Sequence, residues 1–391
     1  MNDIWLQEEL EKMQKERKRP QCGCRQPGIE MYIAKVNGWY IVKRMPGTGG
    51  LHDPACDHYE PPPELSGLGE VMGTAIKENT EDGTTELKFS FSLAKVPGRK
   101  TAASTGAESD SVKTDGKKLT LRSLLHFLWG EAGFNRWTPN MDGKRKWGTI
   151  QKHLYAAAAN KMVKGGPLSE RLFIPETFIL DKRDEINQRR LAKISKLGGA
   201  QGGAQDLMII VGEVKELGPA RYGHKIVVKH LSDMHLMLND DIFKRLEKRF
   251  KEELALASSF EDAHLMMIAT AGVSSSGVAS LDEVALMVVT ENWIPIETVF
   301  DKQLIEIFTA TNRRFTKGLR FNLMSTKPLA CVVLTDTKPK PTAMYIIPPN
   351  AGDDFSEELD ELIKESHLDS WRWNAAGSMP KIPGVDKGGA P

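Results

Sequence analysis

The sequence lacks several things, and each absence removes a class of protein. No apolar run approaches the ~20 residues that a bilayer-spanning helix needs, so no membrane span is expected. The first nineteen residues, MNDIWLQEELEKMQKERKR, are charged and amphipathic, without the apolar centre of a secretory signal. Four cysteines in 391 residues are too few for a disulfide framework. Net charge is nearly absent too: 53 Lys and Arg against 52 Asp and Glu leave +1, so attraction to nucleic acid must come from a local patch. No GxGxxG fingerprint, Walker lysine or GxSxG elbow is present, which removes the common nucleotide-binding and serine-hydrolase signatures. The expected setting is cytoplasmic.

What is present suits a folded chain of two or three domains, with 40% hydrophobic and 27% charged residues. The reading is α+β, with a small zinc-stabilised β module, a helical, winged-helix-like middle and a C-terminal α/β domain of nuclease-like outline. Residues 1–96 are assigned to the β module with a leading helix (Leu6, Leu10 and Met13 on one face), and strands are expected at 31–36 and 39–44 around Asn37-Gly38, a strong hairpin turn. Residues 97–118, poor in large apolar side chains, read as a flexible linker. Residues 119–200 form the helical middle, with helices at 119–132, 147–161 and 179–196. Residues 201–373 are the α/β domain, with strands at 207–214, 225–229, 264–271, 284–290, 330–334 and 342–347. Helices are expected there at 240–257, laced with i,i+4 charge pairs, and at 301–311. The Gly/Pro-rich 374–391 is expected to be a disordered tail.

The cysteine distribution carries the sharpest signal. Cys22-Gly-Cys24 places two sulfurs on one side of an extended segment, and His52-Asp-Pro-Ala-Cys56-Asp-His58 lies beyond the hairpin that returns the chain. Three thiolates and one imidazole make a closed tetrahedral set, the pattern of structural zinc, with no open position for chemistry. Cys56-x-His58 mirrors Cys22-x-Cys24 and resembles the CxC…CxH signature of SWIM-type zinc fingers. His52-x3-Cys56, with Pro54 tightening the turn, is the rival, and spacing leaves the fourth ligand open between His52 and His58. The fourth cysteine, Cys331, sits in an apolar run and reads as a buried thiol.

Two stretches combine cations with aromatics. In 134–153, Arg136, Lys144, Arg145, Lys146 and Lys152 alternate with Phe134, Trp137 and Trp147 between two helices, the outline of helix-turn-helix modules that hold phosphates. In 312–320, Arg313, Arg314, Lys317 and Arg320 follow a helix, where the helix dipole alone also favours cations.

The order of elements over 284–347 resembles the core of the PD…(D/E)xK nuclease superfamily, whose acidic residues and lysine hold Mg²⁺ and activate water. Aligning the motif puts Cys331 where the metal-binding aspartate belongs, and Met344 and Ile346 where the second acid and the lysine belong. Hard ligands for Mg²⁺ are then missing. Glu213-Val214-Lys215 spells ExK elsewhere, with the further acid unassigned, Asp206 or Asp240 being examples. His126, His224 and His230 read as structural.

Over nearly its whole length, the sequence also resembles a bacterial domain-of-unknown-function family defined by three N-terminal cysteines. The matching stretches are MYIAKVNGWYIVKRMPGTG (31–49), YEPPPELSGLG (59–69), LLHFLWGEAGFNRW (124–137), RYGHKIVVKHL (221–231) and RRFTKGLRFNL (313–323). The resemblance implies carriage on plasmids and integrating conjugative elements. It carries over Cys22, Cys24 and Cys56, and favours His52 as the fourth ligand. It implies no activity. The expected function is a zinc-containing, non-catalytic accessory protein of such an element that meets nucleic acid, DNA before RNA, with an element-encoded protein partner. The alternatives are a Mg²⁺-dependent nuclease and a protein-interaction scaffold.

Overall fold

A computed structural model describes residues 4–36, 38–95, 117–195, 205–231, 233–274 and 277–385. The expected linker, apart from its last two residues, lies outside the described residues, as do Asn37, the Gly-rich 197–204 and the end of the expected tail from 386. The fold is mixed α+β. Among the described residues, no helix is long and apolar enough to cross a membrane.

The N-terminal sheet is antiparallel, with strands Gln21–Cys22, Ile29–Val36 and Trp39–Arg44 in that order. Val36 pairs with Trp39 across the turn, where Gly38 takes φ +87°, a conformation open to glycine at little cost. Helix Ile4–Lys15 lies along the outer strand, and its Gln7 exchanges two hydrogen bonds with the Tyr40 backbone at 2.7 and 3.0 Å.

The largest core surrounds a closed ring of five strands: Met208–Pro219, His224–Val228, Leu236–Leu238, His264–Val273 and Ala279–Val289. Taken in chain order as first to fifth, they pair first-second-third-fifth-fourth and back to the first. The third and fifth run parallel. One strand serves two neighbours because it is long: Met208 to Glu213 pair with the fourth strand, and Val214 to Pro219 with the second. A register shift between Val214 and Glu216 bends the strand at the changeover. Helices Asp240–Arg249 and Lys251–Ser259 connect the third strand to the fourth.

The C-terminal sheet runs Asp369–Asn374, Thr342–Ile347, Val332–Leu334, Phe315–Lys317 and Arg136–Trp137. All its pairs are antiparallel except the first, whose parallel crossover is supplied by helix Asp353–Glu365. Period-two alternation divides the sheet's faces. Val332, Leu334 and Met344 pack with Leu304 and Phe308 of helix Val299–Ala310. Val333, Ala343 and Tyr345 pack with Leu359 of the crossover helix. Two tryptophans of the last strand hold the following segment, Trp371 Nε1 donating to Lys381 O and Trp373 Nε1 to Gly377 O. Met379 and Ile382 pack on the same core, so residues 374–383 are held in place despite a composition that suggested disorder.

The helical middle does not stand apart. Helix Leu121–Glu131 is buried over most of its circumference, and Trp129 donates to the carbonyl of Trp293 at 3.0 Å. Helix Trp147–Ala158 follows a basic turn, then a short hairpin of Lys161–Val163 with Gly166–Pro167. Arg136–Trp137 joins the C-terminal sheet, and Leu172–Phe173 joins the first barrel strand.

Candidate metal centre and central cleft

The N-terminal hairpin sets Cys22 and Cys24 against the loop 52–60. Cys22, Cys24, His52 and Cys56 each aim one ligand atom at a common point, and those atoms lie within 4.8 Å of one another. Tetrahedral zinc with bonds of about 2.3 Å to sulfur and about 2.05 Å to nitrogen separates two sulfurs by about 3.8 Å and sulfur from nitrogen by about 3.6 Å. The observed separations are 3.7 Å for Cys22 Sγ to Cys56 Sγ, 3.4 Å for Cys24 Sγ to His52 Nδ1 and 3.8 Å for Cys56 Sγ to His52 Nδ1. The group fits a metal ion, and the donor set fits zinc.

Two backbone amides point at the sulfurs. The Asp53 amide donates to Cys24 Sγ at 3.5 Å and the His58 amide to Cys56 Sγ at 3.4 Å. Burial, then the charges of His58, Arg44 and Arg25, holds His52 below the usual imidazole range, in the neutral form a ligand requires. Burial pushes the Cys24 thiol up, but the Asp53 amide and the thiols of Cys22 and Cys56 bring it below its ordinary value. Burial of Cys56 raises its thiol to about 11. His52 Nε2 is buried without a partner, as a ring held by its other nitrogen can be. His58 contributes its backbone amide to the cluster, its ring standing 5.7 Å from that of His52.

The loop is fastened to the C-terminal sheet. Arg136 donates to Asp57 O at 2.6 Å and Glu60 Oε1 at 2.8 Å, while Arg44 donates to His58 O at 3.1 Å and to the other oxygen of Glu60. The guanidinium of Arg136 is therefore engaged by the metal loop. Arg145 is also inward-facing, donating to the carbonyls of Gly133, Phe134, Arg136 and Asn292. Arg313 is buried and grips Asp336 through Nε and Nη2. Lys317 lies beside Asp301 at 3.3 Å, and Arg320 beside Glu297 at 2.7 Å. Lys144, Lys146, Lys152 and Arg314 are exposed, with no ion-pair partner among the described residues.

Cys331 is buried and donates to Met344 O at 3.1 Å, so the two aligned motif positions are adjacent, with no carboxylate on either. Glu213 pairs with His264, at 2.7 Å, and with Lys229, while Lys215 is exposed. Asp206 pairs with Arg171 and Asp240 with His224, well separated from it in partners. His126 accepts from the Phe321 amide at 2.9 Å and His230 from the Phe178 amide at 3.3 Å.

Sequence reasoning missed a large concavity. A cleft of about 2470 Å³ separates the barrel and its connecting helices from the C-terminal sheet. Its deep end gathers groups far apart in the chain: His126, Glu297, Asp301, Lys317, Arg320 and Cys331. Burial drives His126 down to about 3. Burial opposes ionisation of Glu297, but Arg320 and Lys317 overcome it and hold the carboxyl at about 2. Perturbed groups gathered in a concavity mark a functional-site candidate.

The open end is lined by one face of the connecting helices. Lys244, Arg245, Lys248, Arg249 and Lys251 are exposed there, and the i,i+4 ion pairs expected of this helix do not close among the described residues. Of the cleft's carboxylates, Asp282 pairs with Lys95, Glu297 and Asp301 have the partners above, and burial shifts Glu253 and Glu283 toward the neutral acid. Asp240 lies 3.3 Å from His224, and Asp241 and Glu252 are left to face five cations that have no ion-pair partner among the described residues. The periodicity of residues 240–257 was readable in the sequence; which charges stay unpaired was not.

The chain belongs to the family described as "Protein of unknown function (DUF1173)", whose profile matches residues 2–376. No curated protein and no solved structure matches it.

Proposed function

We propose that this DUF1173 protein is a zinc-containing accessory factor that holds nucleic acid in its central cleft without cutting it. The cation-lined wall of the cleft at 244–251 carries the reading, because unpaired cations around a concavity attract a polyanion where the whole chain, at +1, does not. The barrel supports it. Its strand order, its helical connection between third and fourth strands and its parallel third-fifth closure correspond to the OB-fold, a barrel that holds oligonucleotides.

The C-terminal part supports the nuclease-like outline. Its order of helix, three antiparallel strands, helix and parallel strand is the connectivity of that superfamily's core. With Cys331, Met344 and Ile346 at the motif positions, the reading is a binding remnant. The helix, basic turn, helix and hairpin of the middle, with Lys144, Lys146 and Lys152 exposed, support a winged-helix-like second face for phosphate. Zinc would hold the N-terminal module in a reducing cytoplasm, and carriage on a conjugative element, implied by the family resemblance, is part of the same reading.

Fluorescence anisotropy with labelled single-stranded DNA, duplex DNA and RNA at low salt tests the reading. Binding that weakens as salt rises is expected, with the salt slope reduced by about 2 in the Lys244→Ala/Lys248→Ala/Lys251→Ala variant, from about 0.7 per contact on a single strand. No binding to any of the three would refute it. Incubation with Mg²⁺ or Mn²⁺ should leave the DNA uncut.

A further inference from the structure

We infer that Tyr222, at the tip of the turn joining the first two barrel strands, is a stacking platform for an unpaired base, so that the cleft takes single strands in preference to duplex. The inference rests on the nucleic-acid reading above and adds the strandedness and the residue that sets it.

Three observations carry it. Tyr222 is 77% exposed and lines the cleft, although a ring this size gains by burial in a fold that has room for it. Its turn is rigid. The Ala220 amide donates to Gly223 O at 3.0 Å, and Gly223 holds φ +69° so close to the third strand that a Cβ would meet Leu238 O at 2.5 Å. Next to it, His224 stacks flat on Phe243 of the cation-bearing helix, ring centres 3.6 Å apart. A rigid mount lowers the ordering cost when the ring meets a ligand. Finally, the Arg221 guanidinium sits 5.5 Å from the ring centre, and Lys244 and Lys248 lie along the adjoining wall.

An exposed aromatic face bordered by unpaired cations complements a ligand that alternates flat π surfaces with negative charge. Single-stranded nucleic acid is such a ligand, whereas a duplex encloses its base faces. The cleft's volume accommodates several nucleotides, the scale of about 4–16 that one such barrel engages.

The test compares the full chain with Tyr222→Ala and Tyr222→Phe by anisotropy, using a labelled oligothymidylate and a labelled DNA hairpin at one salt concentration. Since base stacking is worth about 1–3 kcal/mol, Tyr222→Ala should bind the oligothymidylate about 5- to 150-fold more weakly. Tyr222→Phe should stay within about twofold of the parent, because the ring alone stacks. Hairpin binding should change by less than about twofold in both. If Tyr222→Ala binds the single strand as the parent does, or loses hairpin and single strand alike, the platform is refuted while the cleft reading stands. If the parent binds neither probe, the cleft reading fails and takes this one with it.

Discussion

Replacing Cys56 with serine probes the metal centre at its most connected ligand. A serine hydroxyl does not ionise near neutral pH, so the tetrahedral set loses one anionic donor and the site opens to water. A metal bound a thousandfold above its Kd stabilises whatever it holds by about 4.1 kcal/mol, equivalent to nearly three decades in an opening equilibrium. The amides reporting that opening are internal to the loop: Cys56 N to Asp53 O at 2.8 Å, Tyr59 N to Cys56 O at 3.0 Å and Glu60 N to Gly49 O at 3.2 Å. Native-state hydrogen exchange should show these amides exchanging about a thousandfold faster in Cys56→Ser, with elemental analysis falling from one zinc per chain to none. His52→Ala should behave alike. His58→Ala and Cys331→Ser should keep their zinc, because His58 offers only its backbone amide and Cys331 lies in the C-terminal sheet. One zinc per chain in Cys56→Ser, or unchanged exchange at those three amides, would refute the assignment.

Four further outcomes follow from the same geometry. Arg313→Ala leaves the half-buried Asp336 with only the Arg314 amide and should cost up to about 3 kcal/mol in denaturant unfolding, whereas Arg314→Ala at an exposed site should stay within about 0.5 kcal/mol. His126 is held neutral in the fold down to about 3, against 6.5 when unfolded, so the unfolded chain takes up its proton first as pH falls. Its contribution to stability is therefore lost between pH 6.5 and 3. His126→Asn, which can still accept from the Phe321 amide, should flatten that part of the stability–pH curve measured by urea titration. Gly67 brings the N-terminal segment against the loop after the third-last strand's neighbour, Phe315–Lys317. A Cβ there would stand 1.8 Å from Arg320 O, so Gly67→Ala should lower the thermal midpoint by several degrees and, unlike Gly73→Ala, raise protease sensitivity near 320. Glu297 is held ionised down to about 2 against 4.5 unfolded, so its stabilisation is present above pH 4.5 and lost on acidification toward 2. Glu297→Gln should remove that acid-side slope.

Much of the fold was legible because local pattern and tertiary environment agree. The hairpin after residue 36, the strands near 208, 224, 264 and 342 and the helices at 240 and 299 coincide with runs whose periodicity is 2 or 3.6. Short elements escaped. Leu236–Leu238 and Phe315–Lys317 are three residues each, too brief for a period to register, and exist because neighbouring strands complete their hydrogen bonds. Arg136–Trp137 was assigned to a basic turn and is an edge strand for the same reason. Helix Asp353–Glu365 was missed in an acidic stretch; its burial depends on the sheet face formed by Val333, Ala343 and Tyr345.

By itself, the sequence singled out the residue types that could hold a metal, because thiols crowded into a Gly- and Pro-rich polar segment have few other uses. It also determined the near absence of net charge, which confines any polyanion binding to a patch. Spacing leaves His52 and His58 open and the family resemblance favours His52; the tertiary structure turns the His52 ring into the cluster, because only packing orients the two rings. It alone decided which cations are consumed by Asp336, Glu60, Asp301 and Glu297 and which have no such partner among the described residues along the cleft. Electrostatic partners are chosen by distance in space, and those carboxylates lie from 16 to 76 residues away from the cations they neutralise.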